Sequence, residues 1–175
     1  MILQIKCKDT LIHKTFFDLF SQKNFFITKN ENTNIPAILI EDNNENLLIK
    51  INEIQKTYIK PLDLNSIFTD LTKEISKISF AISNFLYFPF QRKIGNEKLK
   101  IYLSDIQNKI LTNLLINQNG INKDDLYQFI WSNDKTISVN KLDTHLTNLK
   151  NLLTSELNFK ISFKSEDKKL KLIID

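Results

Sequence analysis

From Ile137 to Leu153 (ISVNKLDTHLTNLKNLL), Leu142, Leu146, Leu149 and Leu153 recur at steps of four, three and four, which lines them up on one face of a helix. The remaining face then carries Asn140, Lys141, Thr144, His145, Asn148 and Asn151. Side chains of these types donate hydrogen bonds to phosphate oxygens, and the amides both donate and accept at base edges in a major groove. Directly afterwards, Phe159 to Ile174 is rich in lysine and alternates like a β-hairpin. An amphipathic pattern alone describes any helix that packs one face and solvates the other. What points to duplex nucleic acid is the order, a polar helix face followed by a basic hairpin.

The rest of the chain offers little for catalysis. His13 and His145 are the only histidines, and neither has a cysteine or carboxylate at a metal-binding spacing. Cys7 is the single cysteine, which excludes an intramolecular disulfide and a cysteine-cluster zinc site; it reads as a small apolar residue of a buried strand. With Gly95 and Gly120 as the only glycines, no G-x-G-x-x-G or P-loop cradle for phosphates can form, and no G-x-S-x-G is present. Asp124-Asp125 and Glu41-Asp42 are acidic pairs, but adjacent side chains point apart on a helix and to opposite faces of a strand. Most of the 13 phenylalanines fall at helical or alternating positions, which suits a core better than a base-stacking platform. The expectation is a non-enzyme with no metal site and no cofactor.

At 175 residues the chain has room for one medium domain or two small ones, and two is the better fit. The net charge of +4 is unevenly spread: residues 1–90 hold 10 lysines against 10 acids, residues 91–175 hold 14 basic residues against 10 acids. The second half is therefore the nucleic-acid candidate. No apolar run approaches 18 residues and no charged-then-apolar leader opens the chain, so a cytoplasmic protein without a membrane span is expected. Arg92 is the one arginine in a chain rich in Lys, Asn and Ile, the compositional bias of an AT-rich genome.

Several elements must position these groups. Residues 2–7 (ILQIKC) suit a short buried strand, Lys14 to Gln22 a helix carrying Phe16, Phe17, Leu19 and Phe20, and Asn24 to Thr28 a second strand. Asn30 to Asn34 is a polar turn, Ile35 to Ile40 a third strand, and Leu47 to Ile51 either a strand or the start of a helix. Tyr58-Ile59-Lys60-Pro61 closes an extended segment, because the residue before proline is pushed out of the helical region. Asp63 then caps a helix predicted to reach about Asn84, with Leu64, Ile67, Phe68, Leu71, Ile75 and Ile78 on one stripe. The first domain is placed at residues 1–85 and the second at 86–175. In the second, Leu86 to Leu103 alternates around a Gly95-Asn96 turn. Ser104 caps a helix to about Asn117, Asn119-Gly120 stops it, and Asn122 caps a helix over residues 123–131 that ends in Trp131. The expected order over residues 86–175 is β-β-β-α-α-α-β-β.

Residues 86–174 resemble the OmpR/PhoB-type winged-helix DNA-binding domain of bacterial response regulators. The matching pieces are the alternating strands, IYLSDIQNKILTNLLINQNG, which is similar to the family helix i-x-L-T-x-x-E-x-x-i-L-x-x-L, DLYQFIW ending in Trp131, and LDTHLTNLK, which resembles V-D-V-H-I-x-R-L-R or L-E-T-H-I-x-R-L-R. The resemblance implies an α+β winged helix-turn-helix in which His145 and Trp131 touch phosphates and Thr144 and Asn148 face bases. It puts Lys150 in the place of the second arginine of R-L-R. Ser162 and Lys164 fall where the wing supplies a phosphate contact and a minor-groove cation. The chain departs from the family pattern at Asn148, where an arginine normally reads a base, at Thr147, which is often arginine, and at SEDKKL, which replaces the wing's Gly-x-Gly-Tyr.

More faintly, the first half resembles a truncated α/β receiver domain. YIKPLDLNSIFTDL is similar to the receiver's Y-l-x-K-P-f-x-x-x-e-L ending, and ILQIKC with KTFFDLFSQKNFFI to its first strand, helix and second strand. IPAILIED matches the phospho-acceptor strand, making Asp42 the candidate acceptor, and equally matches the later strand before Lys60-Pro61, which the spacing to Lys60 favours. Where the family places its acidic, magnesium-holding pair, this chain has Lys6, Cys7 and Lys8, with Asp9 as the one acid nearby. The implied protein is a phosphorylation-independent transcription regulator of the two-component type, a homodimer through residues 1–85 that binds double-stranded DNA, with RNA polymerase as a candidate partner. The alternative is a protein-interaction adaptor whose winged helix no longer binds DNA.

Overall fold

The computed structural model describes residues 2–21, 26–27, 37–51, 53–131, 139–166 and 168–174. The polar turn expected at Asn30 to Asn34 and the residues between Trp131 and the third helix lie outside them. The described residues form a mixed α/β protein with five helices and three sheets, divided into two compact units, Met1–Ile78 and Ser79–Asp175.

In the first unit the chain runs β1 (Ile2–Cys7), α1 (Thr10–Ser21), β2 (Phe26–Ile27), β3 (Ala37–Asp42), β4 (Asn46–Ile51), β5 (Ile54–Ile59) and α2 (Leu64–Ile75). The sheet order is β2-β1-β3-β4-β5, with β2 and β3 parallel to β1 and the β3-β4-β5 part antiparallel. Short connections dictate that change of direction, since parallel neighbours need a crossover of a dozen residues or so. Asn43 makes the first turn, its Oδ1 accepting from the backbone N–H groups of Glu45 at 3.1 Å and Asn46 at 2.7 Å. Leu47–Ile51 is thereby a strand, which decides the alternative left open by its sequence. Asp9, whose Oδ1 accepts from the Ile12 N–H at 2.8 Å, starts α1 four residues ahead of the expected Lys14. Ile38, Ile40, Ile49 and Ile51 alternate into the core with Phe16 and Phe20 of α1 and Ile67, Leu71 and Ile75 of α2. The Phe20 and Phe68 rings, one from each helix, meet at 5.3 Å.

Asp63 caps α2 as expected, accepting from the Asn65 and Ser66 N–H groups, but α2 ends at Ile75 rather than Asn84. Phe80–Ile82 instead forms β6, hairpinned to β7 (Phe85–Phe88) through Ser83, whose φ is +53°. Ile82 and Phe85 face each other on the buried side of that hairpin, and their burial outweighs continuing a helix whose stripe ends near Ile78. The boundary between the units accordingly falls at residues 78 and 79, not 85 and 86.

The second unit continues with β8 (Lys93–Gly95), β9 (Lys100–Tyr102), α3 (Asp105–Ile116), β10 (Ile121–Asn122), α4 (Lys123–Ile130), α5 (Val139–Leu157), β11 (Ile161–Glu166) and β12 (Lys169–Ile174). Strands β6 to β9 make one antiparallel sheet, and β10-β12-β11 a second. Two strands, β6 and β10, are additional to the expected order. The expected caps are present. Ser104 and Gln107 form a reciprocal capping box on α3, and Asn122 Oδ1 accepts from the Asp124 N–H at 2.8 Å on α4. Gly120, at φ +92°, turns the chain where a side chain would run into Lys169 and Lys171. The leucine stripe of α5 extends one step further than expected, to Leu157, and Asn158 at φ +50° ends the helix.

Leu142, Leu146, Leu149, Leu153 and Leu157 pack on Ile110, Leu111 and Leu114 of α3, Leu126 of α4, and Phe159, Ile161 and Leu170 of the last hairpin. A buried polar cluster joins sheet to helix, the Tyr87 hydroxyl lying 2.7 Å from Asn108 Oδ1 and 2.6 Å from Thr112 Oγ1. Burial pushes the ionisation of Tyr87 far up, so it stays a neutral hydrogen-bonding group. No helix among the described residues is long and apolar enough to cross a membrane.

Candidate nucleic-acid interface

With its leucines turned inward, the 19-residue α5 exposes Asn140, Thr144, Thr147, Asn148 and Asn151 on the opposite side. Asn140, Asp143, Thr144, Thr147 and Asn148 line a shallow open depression of about 420 Å³. The Thr144 hydroxyl donates to the Asn140 carbonyl at 2.7 Å and that of Thr147 to the Asp143 carbonyl at 2.9 Å. Both therefore face outward as acceptors beside a methyl group. Asp143 sits at the rim, its Oδ1 2.9 Å from the Lys123 ammonium.

Near the start of α5 the chain gathers Tyr127, Trp131, His145 and Lys141. Trp131, which caps α4, meets Tyr127 at 4.6 Å and His145 at 5.5 Å between ring centroids. The Lys141 ammonium lies 4.5 Å from the centre of the Trp131 ring, a cation–π contact that holds this flexible side chain against the helix. Trp131, Lys141 and His145 are each half-buried. Lys150 is exposed on the other flank of α5.

Ser162 and Lys164 stand on β11, apart from that helix face. Ser162 is half-buried and paired with Ile173. Lys164 is exposed, yet Glu166 holds it at 2.6 Å while also meeting Lys171 at 3.3 Å. The hydrogen bond from Lys164, joined by that from Lys171, keeps the Glu166 carboxyl below the usual carboxylate range and raises the Lys164 ammonium above its own. Lys168 and Lys169 are exposed around the turn, with Lys168 at φ +63°. The sequence reading did not single these two out. The signal was the position of Lys168-Lys169 at the turn of an alternating hairpin.

In the first unit, Asp42 ends β3, and its Oδ1 lies 2.9 Å from the Lys60 ammonium, which also donates to the Asn43 carbonyl at 2.7 Å. Residues 37–42 lie beside β1, and β5, not β3, leads into Lys60-Pro61, which is a cis peptide. The spacing favours the other assignment because it does not anticipate that β4 fits between β3 and β5. Since β4 is antiparallel between them, β3 and β5 run the same way and bring Asp42 and Lys60 to one sheet edge. Cys7 ends β1 at that edge, half-buried, and burial raises its thiol pKa against the opposing hydrogen bond from the Asp9 backbone. Among the described residues no three of His, Cys, Asp or Glu are grouped to hold a metal ion.

No protein-family model matches the chain, and no curated protein matches it.

Proposed function

We propose that residues 79–175 are a winged helix of the OmpR/PhoB type that binds duplex DNA, with α5 in the major groove and the β11–β12 hairpin as the wing. Residues 1–78 are a reduced receiver-like domain, and the whole is a transcription regulator that acts without phosphorylation and without catalysis. The observation that carries this reading is the exposed face of α5, uncharged but for Asp143 at its rim, flanked by the Trp131–His145–Lys141 cluster and followed by a lysine-bearing hairpin in the same unit. A helix enters the major groove with side chains that reach base edges, while flanking cations and polar aromatic ends settle on phosphates. The strand order of the first unit agrees with the doubly wound 2-1-3-4-5 order, although its β3-β4-β5 part is an antiparallel meander where that fold is parallel.

A salt titration of duplex binding tests the reading. Log affinity is expected to fall linearly with log salt, with a slope of about −0.9 for each phosphate contacted. Lys164→Ala should weaken binding on all sequences alike and make the slope shallower by about one contact. Absence of any duplex binding at low salt would favour the adaptor, in which the same surface docks a protein.

A further inference from the structure

Resting on that DNA-binding reading, we infer that α5 reads A·T base pairs and rejects G·C pairs, so that the duplex this protein selects is A·T-rich beneath the helix. Asn140, Thr144, Thr147, Asn148 and Asn151 are all exposed and all uncharged. At 3.6 residues per turn they fall within an arc of roughly 100°, about the width a groove presents to a helix. Adenine offers one acceptor and one donor in the major groove, N7 and N6–H, which an asparagine amide matches with its own donor and acceptor. Guanine offers two acceptors, N7 and O6, and an amide meets them with one donor and one repelling oxygen.

The hydroxyls sharpen the same preference. Thr144 and Thr147 donate to the Asn140 and Asp143 carbonyls, so toward a base they accept from adenine N6–H or cytosine N4–H, or lay a methyl on the thymine methyl, and offer no proton to guanine. Guanine readers need the paired donors of arginine or the ammonium of lysine. The one arginine, Arg92, lies in the β7–β8 connection. Lys141 borders the arc, but its ammonium is seated over Trp131, and Lys150 lies roughly 60° outside it. Guanine under this face leaves one of its two acceptors unmatched against an amide oxygen, the kind of loss that separates right from wrong bases.

The test is selection of bound sites by the full-length protein from a randomised duplex pool, followed by titration of the selected duplex and of versions with single A·T to G·C changes. The expected outcome is a selected core of A·T pairs, with each exchange beneath α5 costing about tenfold in affinity. Asn148→Arg should bring guanine into one position of the selected core while the others stay A·T. Selection of guanine by the parent protein, or equal affinity for the exchanged duplexes, would overturn the inference and leave DNA binding standing. Retention of no duplex would overturn both.

Discussion

The Lys123 ammonium lies 2.9 Å from the Asp143 carboxylate and ties the first residue of α4 to the rim of the exposed α5 face. The side chains are 31% and 47% exposed, so the pair contributes at most about 1 kcal/mol to stability. Its larger effect is on charge, since it places a carboxylate where DNA phosphates are proposed to arrive and occupies a lysine. Asp143→Asn removes the carboxylate and frees Lys123. Affinity for any duplex should rise several-fold at low salt, and the salt slope should steepen by about 0.9, as for one added phosphate contact. A slope unchanged in filter-binding or anisotropy titrations would place Lys123 away from the phosphates.

Acetyl phosphate with magnesium is expected to change neither the mass nor the DNA affinity of the protein. Phosphoryl transfer to a carboxylate needs a divalent ion to offset the approaching negative charge, and that ion needs carboxylate ligands. Lys6 and Cys7 close β1, Lys8 follows, and Asp9 is engaged in capping α1. Intact-mass spectrometry decides the matter: a gain of one phosphoryl group that vanishes in Asp42→Asn would reverse the proposal and make Lys60, now paired with Asp42, its phosphate partner.

A homodimer through the first unit is expected. Its charges balance over residues 1–78, with 10 lysines against 10 acids, and large apolar side chains stand in solvent, Leu11 at 73% and Ile59 at 78% exposure. A neutral surface with such anchors suits a self-complementary interface. Sedimentation at tens of micromolar, roughly where even a weak interface forms, should report a dimer that Ile59→Lys shifts toward monomer. A parent protein that sediments as a monomer there would remove the paired half-site from the DNA-binding scheme.

Acid should weaken the first unit partly through Glu74. This carboxylate, only 9% exposed, meets Lys77 at 2.7 Å and Lys56 at 3.5 Å. The Lys77 hydrogen bond is the main reason its pKa falls below the ordinary 4.5, against the opposing effect of burial. A depressed folded-state pKa means that the stabilisation is complete above the unfolded value and disappears as pH drops through the folded one. Denaturation midpoints of the parent and Glu74→Gln should differ most at neutral pH and converge below pH 4.5. A gap that stays constant into strong acid would assign the effect of the substitution to packing rather than to ionisation.

Much of the second unit was legible because its signals are local. Ser104 and Asn122 cap helices within three residues of themselves, as Asp63 does in the first unit, the leucine steps of α5 depend on helical geometry alone, and the Phe159 to Ile174 hairpin follows from its alternation. Each is decided by a side chain and its near neighbours, whatever the remainder of the chain does. The polar character of the α5 face is of the same kind, since helical periodicity assigns Asn140, Lys141, Thr144, His145, Asn148 and Asn151 to the side away from the leucines, whereas the outward place of Thr147 came from the structure.

Partnership between distant residues was decided only by the tertiary structure. Phe80–Ile82 carries apolar residues that suit a helix end or a strand, and pairing with Phe85–Phe88 inside the second core settled it. The antiparallel course of β4, which brings Asp42 to Lys60, follows from its pairing with both β3 and β5. The pairing of Asp143 with Lys123, twenty residues away, and the seating of Lys141 on Trp131 depend on how α4 and α5 pack. Which lysines face solvent unengaged and which are held is a matter of distances between side chains. Hydrophobic periodicity reports which face of an element is buried, but Coulomb and cation–π energies fall steeply with separation, and that separation exists only once the elements have packed.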